Sequence, residues 1–423
     1  MRRWNDAAVS AARLSVSRRN ALALSGAAFV FGGGCIQPGN VSAEAATEVV
    51  SDEETIAILK EESEPGFRSR VVIENYWFQQ TDADRKSPNW PVDELSFDYR
   101  HIAGQIPVGM EFVLSVPTLR TILDRGGFQI RENLRKTLFG FRGCVLPTGQ
   151  GPVLKVPTQR LVTARPDHIN LRCVIGVWDR EGEVISLFPG STVPNVDLMY
   201  GYTVGAFGCN MMPTGLHQYK VGPHRGARQP GAFRQQMPLW VLRSRERLEY
   251  AADDSGVVWD DLDGSLPFDN VHAAMLDERS RPPFFSSAGC QVVAGRYKDG
   301  VPTGAWAEFR KAAGLAHPPM MRSQNGITSD DGRDFDYLLL TGDEGAAAAA
   351  GLRAPPRTLR YGSTGPLVAK LQDKLGMRPA DRDGVFGRET LGEYLRWRQR
   401  QGLSLTGVVS ESETQALGLR WDA

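Results

Sequence analysis

The sequence predicts an α+β protein: a β-rich body followed by a small three-helix unit at the C-terminus. Three observations carry this expectation. The stretch "CVIGVWDREGEVISLFPGST" (173–192) alternates about Arg180-Glu181-Gly182 as a strand hairpin does, with Val174, Gly176 and Trp178 on one face. Glycine (45) and proline (26) are frequent enough to favour turns and strands over a helical bundle. Beyond residue 357, apolar residues recur at helical spacing between glycines and caps.

The chain begins with an expected export signal over 1–45. A basic start containing Arg18-Arg19 precedes an apolar run from Ala21 to Phe31, too short to span a bilayer, in the manner of a twin-arginine leader. Ala43-Glu44-Ala45 is a small-x-small cleavage site; Cys35 after Gly33-Gly34 is the alternative, a lipid anchor. The expected location is the periplasm or cell envelope, with no transmembrane helix in the mature chain. With 423 residues there is room for two or three domains. Lys+Arg (49) balances Asp+Glu (49), so no basic surface argues for nucleic acid. The five cysteines form no CxxC pair, which argues against a structural zinc site. Disulfide pairing among them stays open.

Residues 46–165 match no recognisable motif and are an accessory region of unknown role. Within them "TLRTILDRGG" and "IRENLRKTLFG" read as two helices that end in glycine. Residues 166–320 follow as the candidate catalytic domain. After the hairpin come a glycine-rich stretch, "YGYTVGAFGCN", and then Pro213-Thr214-Gly215 leading into an alternating strand that carries His217. Next is "VHAAMLDERSRPPFFSSAGCQVVAG" (271–295), which holds His272 and, eighteen residues later, Cys290. A thiol beside an imidazole becomes a nucleophile for amide carbonyls. Gly289 lets the backbone approach a substrate, and Ser287 completes the frame of the turn. Trp306 and Phe309 form the apolar face of a closing helix. The alternative is a buried structural thiol, the commoner fate of a free cysteine. Cys144, in a similar Gly-Cys frame with His168, His217 and His224 downstream, is a competing nucleophile.

Residues 343–357, "DEGAAAAAGLRAPPR", read as a low-complexity linker. The unit over 358–420 opens a helix at Pro366, stops it at Gly376, turns at Asp383-Gly384, and runs a second helix through Thr390, Leu391, Tyr394 and Trp397 to Gly402. A serine-rich cap and a short third helix close it.

The order "LRYGSTGPLVAKLQDKLG", "DGVFGRET", "QGLSLTGVV" resembles the peptidoglycan-binding module of wall hydrolases and transpeptidases. The order "GVWDREGEVISLFPGST", "PTGLHQYKVG", His272 and "SSAGC" resembles the L,D-transpeptidase catalytic domain. That resemblance implies a β-rich fold around a cleft, with Cys290 as nucleophile and His272 as base. Gly289 and Ser287 would frame the motif, and Gln291, Asn270 and His217 are possible orienting or substrate-contacting residues. It implies peptidoglycan as partner, a thioester formed with release of D-alanine, and no cofactor or metal. Transfer to an amine gives a cross-link; transfer to water makes the protein an L,D-carboxypeptidase. Two departures stand out. Ala288 occupies a position where the family carries histidine, and Gln291-Val292 follow the cysteine where an apolar residue and then arginine or asparagine are usual, with Arg296 too far along to substitute directly. They keep a non-catalytic wall-binding protein open as a third outcome. A zinc peptidase has no recognised ligand spacing among His217, His224 and His272.

Overall fold

The computed structural model describes residues 101–102, 104–148, 150–166, 168, 170–195, 209–244, 257–275, 284–350 and 357–421. The chain divides into a unit Met1–Phe67, outside these residues, and a unit Arg68–Ala423 that contains all of them. The expected leader, the candidate anchor Cys35 and the first part of the accessory region therefore lie outside the described residues.

The elements run, in chain order, β1 (Glu111–Ser115), α1 (Val116–Gly126), β2 (Lys136–Arg142), β3 (Cys144–Val145), β4 (Val153–Val156), β5 (Thr158–Thr163), β6 (Cys173–Asp179) and β7 (Val184–Ser191). There follow β8 (Asn210–Met211), β9 (Gly215–His224), β10 (Gln229–Gln235), β11 (Val241–Ser244), β12 (Val257–Asp260), β13 (Val271–Ala273), β14 (Gln291–Val293), β15 (Arg296–Lys298), β16 (Val301–Thr303) and α2 (Ala305–Ala312). The chain ends with β17 (Asp334–Thr341), α3 (Gly342–Ala349), β18 (Thr358–Leu359), α4 (Pro366–Lys374), α5 (Arg388–Arg400), β19 (Val409–Ser410) and α6 (Glu411–Ala416).

The fold is mixed α+β around an eight-stranded barrel, ordered β14-β13-β10-β9-β17-β2-β6-β7 and closed by β7 pairing with β14; β4 adds to β7 outside the ring. Both faces of several strands are buried. Ile175, Val177, Tyr337 and Leu339 point into one core with Trp306 and Phe309 of α2, whereas Val174, Trp178, Leu338 and Leu340 join a second core with α1 and α3. Double burial explains why "CVIGVWD" and "DYLLLT" read as nearly continuous apolar runs.

The body is wider than residues 166–320. β2 lies inside the barrel, antiparallel to β6 and parallel to β17. The stretch expected as a second helix, "IRENLRKTLFG", thus ends in a strand, because six of the seven β2 residues are buried between those partners. The stretch expected as a linker also differs at its start. Gly342–Ala349 is a helix closed by a Thr341–Glu344 capping box, with Ala346 and Ala347 in the second core. Alanine is the strongest helix former, so a run of it next to a cap folds once there is a surface to cover.

The C-terminal unit has the three expected helices around its own core of Val368, Leu371, Phe386, Leu391, Tyr394 and Val409. It is docked on the body at two places. On one side Leu216 N–H donates to Tyr361 O (3.0 Å), Thr364 N–H to Gly127 O (2.7 Å), and Arg360 reaches Thr214 Oγ1 (2.9 Å) and Glu344. On the other, Trp240 and Trp259 pack on its core, and Arg388 pairs with Asp261 at 3.0 Å. No helix among the described residues is long and apolar enough to cross a membrane.

Candidate functional site

β13 and β14 run parallel, with His272 opposite Val292. That register sets the imidazole beside the turn that ends in Cys290. Val271 and Ala273 face the core, so the alternation of β13 turns His272 to the other side. There its ring stacks on His224, at 4.4 Å between centroids and 10° between planes. One ring nitrogen of each histidine and the Cys290 sulfur all lie within 4.8 Å of one another. Both histidines are buried, and Cys290 is half-buried.

Hydrogen bonds fix the proton positions. His272 Nδ1 lies 2.7 Å from Ala273 O. A carbonyl only accepts, so Nδ1 carries the hydrogen and Nε2 keeps its lone pair. Burial first, and the charge of Arg225 second, push the His272 pKa down to about 3, against the raising effect of the Ala273 bond. The resting imidazole is neutral. The Cys290 thiol rests on Phe268 O at 3.4 Å, presented by a left-handed Phe268 (φ 56°).

The turn before Cys290 is braced from within. Ser287 Oγ accepts from Gly289 N–H (3.1 Å) and donates to Cys290 O (2.7 Å). The Gly289 amide is thereby engaged, and its part in the site is steric clearance rather than donation to an oxyanion. Its φ is +151°, and a Cβ there would stand 2.4 Å from Asp269 Oδ1 and 2.7 Å from Asn210 Cβ. Gly289→Ala is expected to cost about 2–4 kcal/mol through strain and overpacking. Urea unfolding with an alkylation assay on Cys290 checks it, and a loss under about 0.5 kcal/mol with unchanged alkylation refutes the clearance role.

The orienting candidates part company. Asn270 does hold an imidazole, but that of His224: its Nδ2 lies 3.0 Å from His224 Nδ1, while its Oδ1 accepts from Gln235 N–H at 3.0 Å. Gln291 is fully buried, donates to Gly289 O (3.0 Å) and accepts from Tyr337 OH (3.4 Å), so it supports the turn from behind. His217 is neither in the cleft nor exposed. It is buried, bonds Pro213 O at 3.0 Å and stacks on Tyr361 at 5.0 Å, at the junction with the C-terminal unit. Cys144 is wholly buried beside Cys173, and burial raises its thiol well above the ordinary value. Val292 is a buried ladder residue between β13 and β7, and Arg296 is exposed on β15. The arginine whose charge reaches His272 is Arg225.

Two further groups border the site. Asp269 is buried; burial first pushes its carboxyl up to about 7 against the lowering effects of Asn210, Arg243 and Arg142, and its Oδ2 has no hydrogen-bond partner among the described residues. His224 is the second imidazole near Cys290. Period-two counting along β9 places it outward with Leu216, Gln218 and Lys220. That is the face to which β13 turns His272, away from Tyr219, Val221, Val271 and Ala273 of the core, so the two rings meet without any reversal of β9.

Cysteine with two histidines is a donor set that a thiophilic ion such as Zn²⁺ accepts. The second imidazole is turned against that role. Gln235 fixes Asn270 with its NH₂ toward His224, so Nδ1 of that ring accepts and its hydrogen sits on Nε2. A ligating histidine has the opposite arrangement, donating its outer N–H and offering the other nitrogen bare. No protein family, curated protein or solved structure matches this chain.

Proposed function

We propose that the protein is an exported peptidoglycan-modifying enzyme that works as an L,D-transpeptidase-like cysteine acyltransferase. The observation that carries this is the arrangement at 272: the imidazole is held by Ala273 O through Nδ1, which leaves Nε2 as the accepting nitrogen, and a ring nitrogen lies within 4.8 Å of a half-buried thiol. A nucleophile, a base and a third group that orients the base are the parts acyl transfer needs. The C-terminal groove of about 670 Å³, lined by Arg378, Asp383, Arg388, Glu389 and Glu393 among others, offers polar groups suited to a sugar and peptide polymer.

In this mechanism His272 Nε2 takes the Cys290 proton as sulfur attacks the carbonyl of the L-centre in a tetrapeptide stem. The tetrahedral adduct collapses, the C–N bond breaks, and His272 returns the proton to the departing D-alanine amine, leaving a thioester. An acceptor amine then loses its proton to His272 as it attacks, and the thiol is re-formed on release. Water in place of the amine gives the carboxypeptidase outcome from the same first half.

Purified protein incubated with tetrapeptide muropeptides is expected to release D-alanine and to show an acyl adduct by intact mass. Cys290→Ala is expected to lose both, by at least about 10³-fold. D-Alanine release that persists in Cys290→Ala, or disappears with a chelator alone, refutes the thiol mechanism. Cross-linked dimers against free tripeptides separate transferase from hydrolase.

A further inference from the structure

We propose that His224 is the hydrogen-bond donor that stabilises the Cys290 thiolate once His272 has taken its proton. This rests on the thiol–imidazole pair proposed above and extends it to a residue outside the motif. The chain of constraint starts at the backbone. Gln235 N–H donates to Asn270 Oδ1, which leaves the Asn270 amide hydrogens facing His224 Nδ1 at 3.0 Å. That nitrogen accepts, so a neutral His224 carries its hydrogen on Nε2. Neutrality is secured by burial first, then by the neighbouring His272, Arg225 and Arg234, which together hold the ring well below its ordinary pKa. The two imidazoles lie parallel at 4.4 Å with the sulfur close to both. From their hydrogen bonds the rings carry opposite tautomers: His272 keeps Nε2 bare, and His224 carries its hydrogen on Nε2.

The division of labour follows from the proton balance. Proton transfer turns thiol and neutral imidazole into thiolate and imidazolium, and S⁻ accepts from any N–H within reach. A charge-assisted bond of this kind favours the ionised sulfur by an amount that reads directly as a lower thiol pKa. Charged or titratable groups around this cluster include Arg225 after β9, Arg234 on β10, Asp269 before β13 and Tyr219 on β9. None of these differs between the variants below.

The test measures the pH profile of Cys290 alkylation by iodoacetamide in the full chain, with Cys290→Ser as blank. His224→Phe keeps the stacked ring and removes the donor; the thiol pKa is expected to rise by about one unit, slowing alkylation at pH 7 roughly ten-fold. His224→Gln restores an N–H and is expected to recover most of that loss. A merely structural His224 gives the same profile in all three proteins and overturns the proposal. Because the Phe variant carries a risk of misfolding, ¹⁵N imidazole spectra of the unaltered protein give a second measure. They are expected to show His224 protonated on Nε2 and His272 on Nδ1. The reverse tautomer at His224, or binding of one Co²⁺ with a thiolate charge-transfer band, overturns it in favour of a metal site. Failure of the enzymatic reading is seen separately, as absent D-alanine release with the thiol profile intact.

Discussion

Arg360→Met is expected to destabilise the protein by about 3–5 kcal/mol, the cost of leaving a buried charge without its partner. The Arg360 side chain is 1% exposed and Glu344 8%. The guanidinium also reaches Thr214 Oγ1 and Thr358 Oγ1, so it fastens the C-terminal unit to the body. Glu344 in turn closes the capping box of α3 and takes a bond from His101 Nε2 at 2.8 Å. Burial alone would raise its carboxyl; Arg360 and His101 outweigh burial and hold it well below the carboxylate range. Removing Arg360 strands that carboxylate, whereas Arg360→Met with Glu344→Gln removes both charges and is expected to recover more than half of the loss. Urea unfolding of the two single variants and the double variant measures the coupling. A single variant within about 1 kcal/mol of the parent shows that the pair is not a fastening.

Stability is expected to fall steeply below pH 6.5, by about 4 kcal/mol per pH unit, through four buried neutral histidines. Burial leads in lowering His168 to about 4, His217 and His272 to about 3, and His224 well below 6.5. Their folded pKa values lie below the unfolded one, so below 6.5 the unfolded chain binds protons that the folded chain refuses. Each such group costs about 1.4 kcal/mol per unit until its folded pKa is reached. Asp269 works the other way. Its folded carboxyl keeps a proton up to about 7 and the unfolded one only to 3.8, so it adds stability as pH falls through that window. Four against one leaves about three protons of net uptake on unfolding. With a typical stability of about 5–15 kcal/mol, unfolding near pH 5 at room temperature is expected. Thermal melts from pH 8 to pH 4 test this, and His168→Leu is expected to flatten the slope by about one proton where it folds. A melting temperature constant between pH 7 and pH 5 rules the account out.

Much of this architecture is written locally. The 173–191 hairpin, the strand after Pro213-Thr214-Gly215 and the three C-terminal helices are each fixed by residues within a turn or two, and the structure places them as the pattern implies. The pairing of β2 with β17 joins residues some two hundred positions apart, and nothing near Lys136 announces it. Hence a strand reads as a helix there. The Ala-rich segment at 342–349 shows the converse: Thr341 and Glu344 already spell a capping box, but repetitive composition hides it. At the site, sequence order already groups His272 and Cys290, which the structure sets on β13 and in the turn just before the parallel β14. It does not reveal His224, because β9 reaches β13 only through β10, a pairing that no local pattern announces. Nor does it reveal the burial of His217, whose partner Tyr361 belongs to another unit.

The double docking of the C-terminal unit has a geometric consequence. Trp240 and Trp259 hold one side, Tyr361 and Arg360 the other, and the small sheet formed by β8, β11 and β12 joins that contact to Asn210 under the Cys290 turn. The unit is thereby a fixed arm and not a tethered one. On the proposed function, a strand gripped in its groove meets the thiol at a constant offset and orientation. The enzyme then works as a gauge, acting on stems at one pitch along the polymer, and its reach is set by the docking and not by the length of chain at 350–357.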